Sequence, residues 1–112
     1  MSASERPLVV AVLPALARLV EERLRAQEED VLADAIGTLR ITGACACEND
    51  FCGSFYTAGR PFVRWWRRGR QLLLEGDPPA EVILDVVGGE IVFVEVLHWE
   101  GVREAVAHAT RA

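Results

Sequence analysis

The chain has 112 residues, a length that fits one domain over residues 1–112, with residues 1–7 expected to be a flexible terminus. Apolar residues make up 51% of the sequence, which excludes intrinsic disorder and allows a packed core. The formal net charge is −5, but residues 60–70 carry five arginines and no acid, so the remainder carries −10. The overall charge therefore does not decide whether nucleic acid or a membrane surface is a partner.

The first 20 residues imitate a secretory signal peptide, with an arginine before an apolar stretch. We reject that interpretation because Glu5 cancels the charge of Arg6 and Pro14 interrupts the apolar stretch. No apolar stretch approaches the roughly 20 residues that a membrane-spanning helix needs. The sequence thus predicts a cytoplasmic protein without membrane contact, in which the cysteines are reduced.

Two helical patterns occupy the N-terminal third. Apolar residues recur at helical spacing over residues 13–24, and Pro14 suits the first turn of that helix. The pattern resumes over residues 31–36, and Gly37 is a natural end. We interpret residues 27–30 as a break between two helices, with Asp30 as the N-cap. Residues 8–13 fit either a strand or a short helix before Pro14, and the sequence leaves this open.

After Gly37 the apolar period changes from 3.6 to 2, which indicates strands. Residues 39–47 and 52–57 predict a hairpin, and residues 71–77 contain a third strand. The clearest element is a second hairpin closed by Gly88 and Gly89, because a two-residue primed turn needs positive φ at both positions. A short helix follows over residues 101–110. Together these elements predict an α+β fold: N-terminal helices packed on an antiparallel sheet of about five strands, and a short C-terminal helix.

The register of the second hairpin predicts that both of its faces are apolar. A turn at residues 88 and 89 places Val86 opposite Ile91 and Leu84 opposite Phe93. One face then carries Val82, Leu84, Val86, Ile91, Phe93, Leu97 and Trp99, and the other carries Ile83, Val87, Val92, Val94 and Val96. Because a singly covered antiparallel sheet normally has a polar outer face, we expect a homodimer to cover the second face.

The cysteines of the chain all fall in one segment, Cys45, Cys47 and Cys52, with the spacing Cys-x-Cys-x4-Cys. Alternation along a strand places Cys45 and Cys47 on one face, and a tight turn returns Cys52 beside them. Three thiolates need one further ligand to complete the tetrahedral site that zinc prefers. The candidates for this fourth ligand are His98 first, then Asp50 and Glu48.

Two other interpretations of the cysteines stay open. Cys45 and Cys47 share a face with apolar residues, so the thiols can simply fill the core, as free cysteines often do. Alternatively, one thiol is catalytic or redox-active, which would require a histidine base, and the chain has only His98 and His108.

The segment of residues 60–70 combines guanidinium groups with indoles, a combination typical of contacts with anions or single-stranded nucleic acid. The candidate residues are Arg60, Arg64, Trp65, Trp66, Arg67, Arg68 and Arg70. The alternative is that the tryptophans pack into the core while the arginines pair with the acid-rich helices. Because the remainder of the chain is acidic, we regard nucleic acid as the less favoured partner.

Two motifs carry a family resemblance, CACENDFCGSFYT at residues 45–57 and ILDVVGGEIVFVEVL at residues 83–97. They resemble small uncharacterised proteins of actinobacteria, which share a cysteine-containing Ser-Phe-Tyr-Thr hairpin and a Leu-Asp-Val-Val hairpin. The resemblance covers about residues 38–98. The second hairpin is also similar to a widespread small bacterial domain of unknown function, which usually has a charged residue where Gly88 stands here. Neither resemblance implies an activity or a functional residue.

No group of residues fixes a reaction, so we expect a protein that is not an enzyme. The leading hypothesis is a cytoplasmic homodimer with a structural zinc at the cysteines. A second hypothesis is a protein–protein interaction module, an immunity-type or regulatory partner of an unidentified protein. A third is a small thiol-dependent enzyme, or an anion or nucleic-acid binder acting through residues 60–70.

Overall fold

The computed structural model describes residues 6–58 and 69–111. The helices of this part are α1 (Val9–Val12), α2 (Pro14–Ala26), α3 (Asp30–Ala35), continued by a 3-10 turn (Ile36–Thr38), and α4 (Val102–Thr110). The strands are β1 (Gly43–Ala44), β2 (Phe55–Tyr56), β3 (Arg70–Leu74), β4 (Glu81–Val87) and β5 (Glu90–Leu97). They form one antiparallel sheet in the order β1-β2-β5-β4-β3. The predicted α+β architecture is confirmed. Among the described helices, none has the length and apolar character to cross a membrane.

The helix boundaries follow local rules with one exception. Pro14 is the first residue of α2, as predicted, and Leu13, at φ −130°, separates it from the short helix α1. The break between α2 and α3 is confirmed, with Glu28 at φ +60°. The prediction that Asp30 caps α3 is wrong, because Glu29 occupies the N-cap position and Asp30 is already helical. The carboxylate of Asp30 instead lies 3.7 Å from the Arg25 guanidinium.

The turn of the second hairpin is confirmed, with Gly88 at φ +60° and Gly89 at φ +80°. Val86 pairs with Ile91 as predicted, but a β-bulge follows, and Leu84 pairs with Val94 rather than with Phe93. The extra residue in β5 is Val92, which has no partner in the register. A bulge of this kind moves every later side chain to the other face, so the predicted distribution of β5 residues between the two faces is wrong beyond the bulge.

The core lies between the N-terminal helices and one face of the sheet. The fully buried side chains at its centre include Leu16, Leu24, Ile36, Phe55, Leu84 and Val96. The opposite sheet face carries acidic residues among apolar ones. Glu81 and Glu90 at its ends are exposed, and its half-buried members on β4 and β5 are Ile83, Asp85, Val87, Phe93, Glu95 and Leu97. The helices therefore bury one face deeply, and the second face combines apolar residues with acidic ones rather than being apolar as predicted.

The first hairpin is shorter than the sequence predicts. Only two residues of each arm form strands, with Gly43 opposite Tyr56 and Ala44 opposite Phe55. Ahead of β1 the main chain pairs with the N-terminal segment instead, because Ile41 donates its N–H to the Pro7 carbonyl over 2.8 Å. Beyond β1 the backbone leaves the sheet and forms the loop that holds the cysteines.

Candidate metal centre

The cysteine loop connects β1 with β2 and is fixed at both ends. Cys45 donates its N–H to the Ser54 carbonyl over 3.0 Å, and Cys52 donates its N–H to the Asn49 carbonyl over 3.1 Å. Cys52 also forms an isolated antiparallel bridge with Leu97 at the end of β5. The loop is therefore tied to the central hairpin of the sheet, which positions its side chains.

The three thiols converge in space. The Sγ atoms of Cys45, Cys47 and Cys52 all lie within 4.8 Å of one another. Cys52 is only 7% exposed, whereas Cys45 and Cys47 are half-buried. The structure thus brings together the three cysteines that the spacing predicts as ligands, and the cluster opens toward solvent on the side of Cys45 and Cys47.

Arg103, the second residue of α4, binds the cysteine loop through its guanidinium group. Its Nη1 atom donates to the carbonyls of Asn49 (2.8 Å) and Cys52 (2.9 Å), and Nη2 donates to the carbonyl of Cys47 (3.4 Å). Nη1 also lies 3.9 Å from Cys47 Sγ. One positive charge therefore lies beside the thiols, where it can stabilise an ionised sulfur.

Ser54 supports the cluster from the protein interior. Its side chain is 3% exposed, and its hydroxyl oxygen accepts the N–H of Val96 over 2.9 Å. The thiol of Cys52 donates to the same oxygen over 3.3 Å. When Cys52 is ionised this contact can reverse, because the Ser54 proton is then free to point at the sulfur.

Close packing of α4 on the loop depends on Gly53. A Cβ atom at this position would lie 2.7 Å from Cγ1 of Val102 and 3.1 Å from the main-chain nitrogen of Arg103. The absence of a side chain at residue 53 therefore lets the start of α4 approach closely enough for Arg103 to reach the loop carbonyls.

The environment separates the acidities of two of the thiols. Burial raises the pKa of the Cys45 thiol to about 11. The pKa of Cys47 is lowered, first by the Cys52 side chain, whose one proton turns from Ser54 to the Cys47 sulfur when Cys47 ionises, and further by Cys45, by the Asn49 main-chain N–H and by Arg103. In the metal-free protein Cys47 therefore ionises at a lower pH than Cys45.

His98 is not part of the group of three. Its exposed imidazole stacks on the Phe51 ring at a centroid distance of 4.7 Å and an interplanar angle of 16°. The main-chain N–H of His98 donates to the Phe51 carbonyl over 2.8 Å, and the φ of His98 is +59°. The exposed carboxylates of Glu48 and Asp50 also lie outside the group. The assignment of a fourth ligand stays a prediction.

A cavity of about 100 Å³ adjoins the cluster. Its lining includes Cys45, Cys52, Ser54 and Arg103. The space exceeds the roughly 30 Å³ that one water occupies in the liquid, and the lining is polar on the side of the thiols. A solvent molecule can therefore approach the sulfur atoms from this side.

The arginine–tryptophan segment falls almost wholly outside the described residues. This applies to Arg60, Arg64, Trp65, Trp66, Arg67 and Arg68. Arg70 is the first residue of β3, and its guanidinium forms two hydrogen bonds to the carboxylate of Glu29, of 2.8 and 2.9 Å.

Sequence reasoning missed two residues of the site, Arg103 and Ser54. Neither residue belongs to a recognisable ligand spacing. The Arg103 guanidinium reaches the loop only because α4 packs on it, and Ser54 contacts Cys52 through a single hydroxyl group. The arginine could have been suspected only from its position at the start of a helix that the thiol cluster must pack against.

No protein-family model, no curated protein and no solved structure matches this chain.

Proposed function

We propose that this protein is a non-enzymatic zinc-binding protein in which the thiolates of Cys45, Cys47 and Cys52 hold one structural ion. The observation that carries the proposal is the convergence of three Sγ atoms within 4.8 Å of one another. In a tetrahedral site with Zn–S distances of about 2.3 Å, neighbouring sulfur atoms lie about 3.8 Å apart. The thiols therefore need to move together by at most about 1 Å, which side-chain rotation alone can supply.

A positive charge beside the thiols favours a complex of three thiolates with a divalent ion. Such a complex has one net negative charge, and the guanidinium of Arg103, 3.9 Å from Cys47 Sγ, balances it. The Ser54 hydroxyl is in place to donate to Cys52. Soft thiolate ligands select zinc or monovalent copper over magnesium, calcium or manganese.

Besides the carboxylates of Asp50 and Glu48, which stay open from the sequence, the fourth ligand has two candidates. One is His98, which must leave its stacking contact with Phe51 to reach the ion. The other is a water molecule from the adjoining cavity of about 100 Å³. Cobalt substitution distinguishes them, because the visible spectrum of the Co²⁺ form changes in H98Q only if the imidazole is a ligand.

The decisive experiment is elemental analysis of untagged protein, purified under reducing conditions and supplied with Zn²⁺, together with a count of reactive thiols. We expect about one zinc per chain and three protected thiols, which become reactive after a chelator is added. C47S should lose the metal, and a serine variant at exposed Ala46 should keep it. Zinc-free protein with freely reactive thiols after this treatment would contradict the proposal.

Reduced thiols are a condition of this function, so we also propose a cytoplasmic location. Fractionation of cells that produce the untagged protein tests it: recovery with the cytoplasmic markers is expected, and recovery in a secreted or oxidising compartment would contradict it.

Protein–protein interaction is a second candidate function, and the interaction to test first is the formation of a homodimer. β3 is an edge strand of the described sheet, and its Leu73 side chain is 69% exposed. Val31 on α3 is 81% exposed, and α3 is tied to β3 by the pair of Glu29 and Arg70. Analytical ultracentrifugation at micromolar concentration tests a dimer through this edge. A dimer that L73E converts to a monomer is expected, and a monomeric wild-type protein would contradict it.

A further inference from the structure

A second cavity, of about 490 Å³, lies away from the cysteines. It is bounded by the 3-10 turn, by the chain leading into β1, and by the turn between β4 and β5, and it shares no lining residue with the cavity beside the thiols. Its volume falls within the range of about 300–1,000 Å³ that is usual for small-molecule sites. The lining residues that could recognise a ligand are Arg6, Arg40, Thr38, Thr42, Thr57 and Glu90.

Arg6 and Arg40 are the unusual members of this lining. Both side chains belong to half-buried residues, and neither has a carboxylate within 4.0 Å in the described parts of the chain. Each uses Nη1 on a main-chain carbonyl, that of Thr42 for Arg6 and that of Arg6 for Arg40. A guanidinium carries five N–H donors, so most of the donors of both groups remain available.

Two arginines of the described chain pair with acids, whereas Arg23 and Arg103 donate to main-chain carbonyls, as Arg6 and Arg40 do. Arg25 lies within 4.0 Å of Glu21, Asp30 and Asp34, and Arg70 forms two hydrogen bonds with Glu29. With 17 acidic residues in 112, partners for arginine are abundant. Arg6 and Arg40 differ in lying together in the wall of one cavity, with no carboxylate within 4.0 Å of either in the described parts of the chain. This pair of guanidiniums therefore favours an anion from outside the chain.

The other polar groups of the cavity specify the remainder of the ligand. The hydroxyls of Thr38, Thr42 and Thr57 donate to the carbonyls of residues 35, 58 and 91, so their oxygens can only accept further hydrogen bonds. The carboxylate of Glu90, at the hairpin turn, is also an acceptor. A ligand that fits this wall has donor groups, hydroxyl or amino, in addition to its anionic group.

We propose that this cavity binds a small organic anion, a hydroxyl- or amino-bearing carboxylate or phosphate. Its anionic group lies against the guanidiniums of Arg6 and Arg40, and its donors face the threonine oxygens and Glu90. The site does not include the cysteines, so its test does not depend on whether the protein binds zinc.

Calorimetric titration of the full chain at low ionic strength tests the proposal with two matched pairs of probes. Malate and succinate differ by one hydroxyl group, and glycerol 3-phosphate and inorganic phosphate differ by the polyol. We expect saturable binding of malate, of glycerol 3-phosphate, or of both, stronger than that of the matched partner. The pair that binds identifies the anionic group. Absence of saturable binding for all four probes in the millimolar range would overturn the proposal.

Three variants locate the site. R6Q and R40Q should each weaken binding by at least about tenfold, because each loses charge-assisted hydrogen bonds to the anion. R18Q removes the same charge from an exposed position on α2 and should leave binding unchanged. Equal weakening in R18Q would show non-specific attraction and reject the site. If R6Q or R40Q does not fold, amide shifts on titration of the wild-type protein decide: they should centre on residues 38, 57 and 89, and shifts centred elsewhere would reject the site.

Discussion

Nη1 of Arg103 lies 3.9 Å from Sγ of Cys47, although 56 positions separate the two residues in the chain. The same atom donates to the carbonyls of Asn49 and Cys52, so one guanidinium orders the loop and places a positive charge beside the thiols. The loop alone cannot supply that charge, because its own charged residues, Glu48 and Asp50, are acidic. The thiol cluster is therefore a product of tertiary packing as well as of spacing.

Replacement of Arg103 should weaken zinc binding without removing a ligand. We expect R103Q to lower the zinc affinity by about 10–100-fold, the usual effect of losing a group that orients metal ligands. Competition with a chromophoric chelator measures this affinity. R103K, which keeps the charge but not the forked donors, should fall between R103Q and the wild type, and R111Q serves as the control for loss of one positive charge. An unchanged affinity in R103Q would show that the guanidinium only shapes the loop.

G53A should destabilise the protein, since its Cβ would lie 2.7 Å from Val102 Cγ1 and 3.1 Å from the Arg103 main-chain nitrogen. Overpacking of this kind typically costs about 1–3 kcal/mol. Urea unfolding of the metal-free protein measures the change in the free energy of unfolding. Gly37 is the matched control, because a Cβ there would meet nothing within 4 Å. Equal effects of G53A and G37A would argue against the close approach of α4.

In metal-free protein, alkylation should discriminate between the thiols. The lowered pKa of Cys47 means that its thiolate is present at a lower pH than for an ordinary thiol, whereas burial raises the pKa of Cys45 to about 11. Because the thiolate is the reactive form, iodoacetamide should label Cys47 first at neutral pH and Cys45 only at strongly alkaline pH. Peptide mass spectrometry measures the order of labelling. In denaturant the two rates should converge, and equal rates in the folded protein would contradict the assigned environments.

The pair of Glu29 and Arg70 predicts an acid-dependent contribution to stability. Its hydrogen bonds lower the pKa of Glu29 below the ordinary value of 4.5, so the folded state binds this proton less readily than the unfolded chain. The contribution is complete above pH 4.5 and is lost as the pH falls through the lowered value. E29Q should therefore show a smaller loss of urea midpoint between pH 7 and pH 3 than the wild type. E22Q, at an exposed position of α2, should keep the wild-type difference.

How much was predictable depended on whether the deciding interaction is local. Pro14 and the Gly88-Gly89 turn were predictable because backbone geometry alone restricts them. The bulge at Val92 was not, since a run of apolar β-branched residues carries no mark of which one is extra. The prediction of Asp30 as the N-cap was wrong, since Glu29 takes that position and the Asp30 carboxylate lies beside the Arg25 guanidinium.

The candidate site divides in the same way. The convergence of three cysteines was predictable because all three lie within residues 45–52, although β1 ends at Ala44 and the predicted strand does not reach Cys45 and Cys47. The part played by Arg103 depends on where α4 packs, and that depends on the absence of a side chain at residue 53. The half-buried arginines of the second cavity were invisible for a related reason: sequence shows charge but not which charges are left unpaired.

All three proposed sulfur ligands lie within eight consecutive residues of the chain, 45–52. The entropy lost on closing so short a loop is small, so the disordered chain can also bind the ion through the same three sulfurs. An ion that binds both the folded and the disordered chain stabilises the fold only by the difference between the two affinities. That difference comes from the groups that only the folded chain supplies, chiefly Arg103, which is 56 positions from Cys47. Even if the folded protein binds zinc tightly, zinc should therefore raise the melting temperature only modestly.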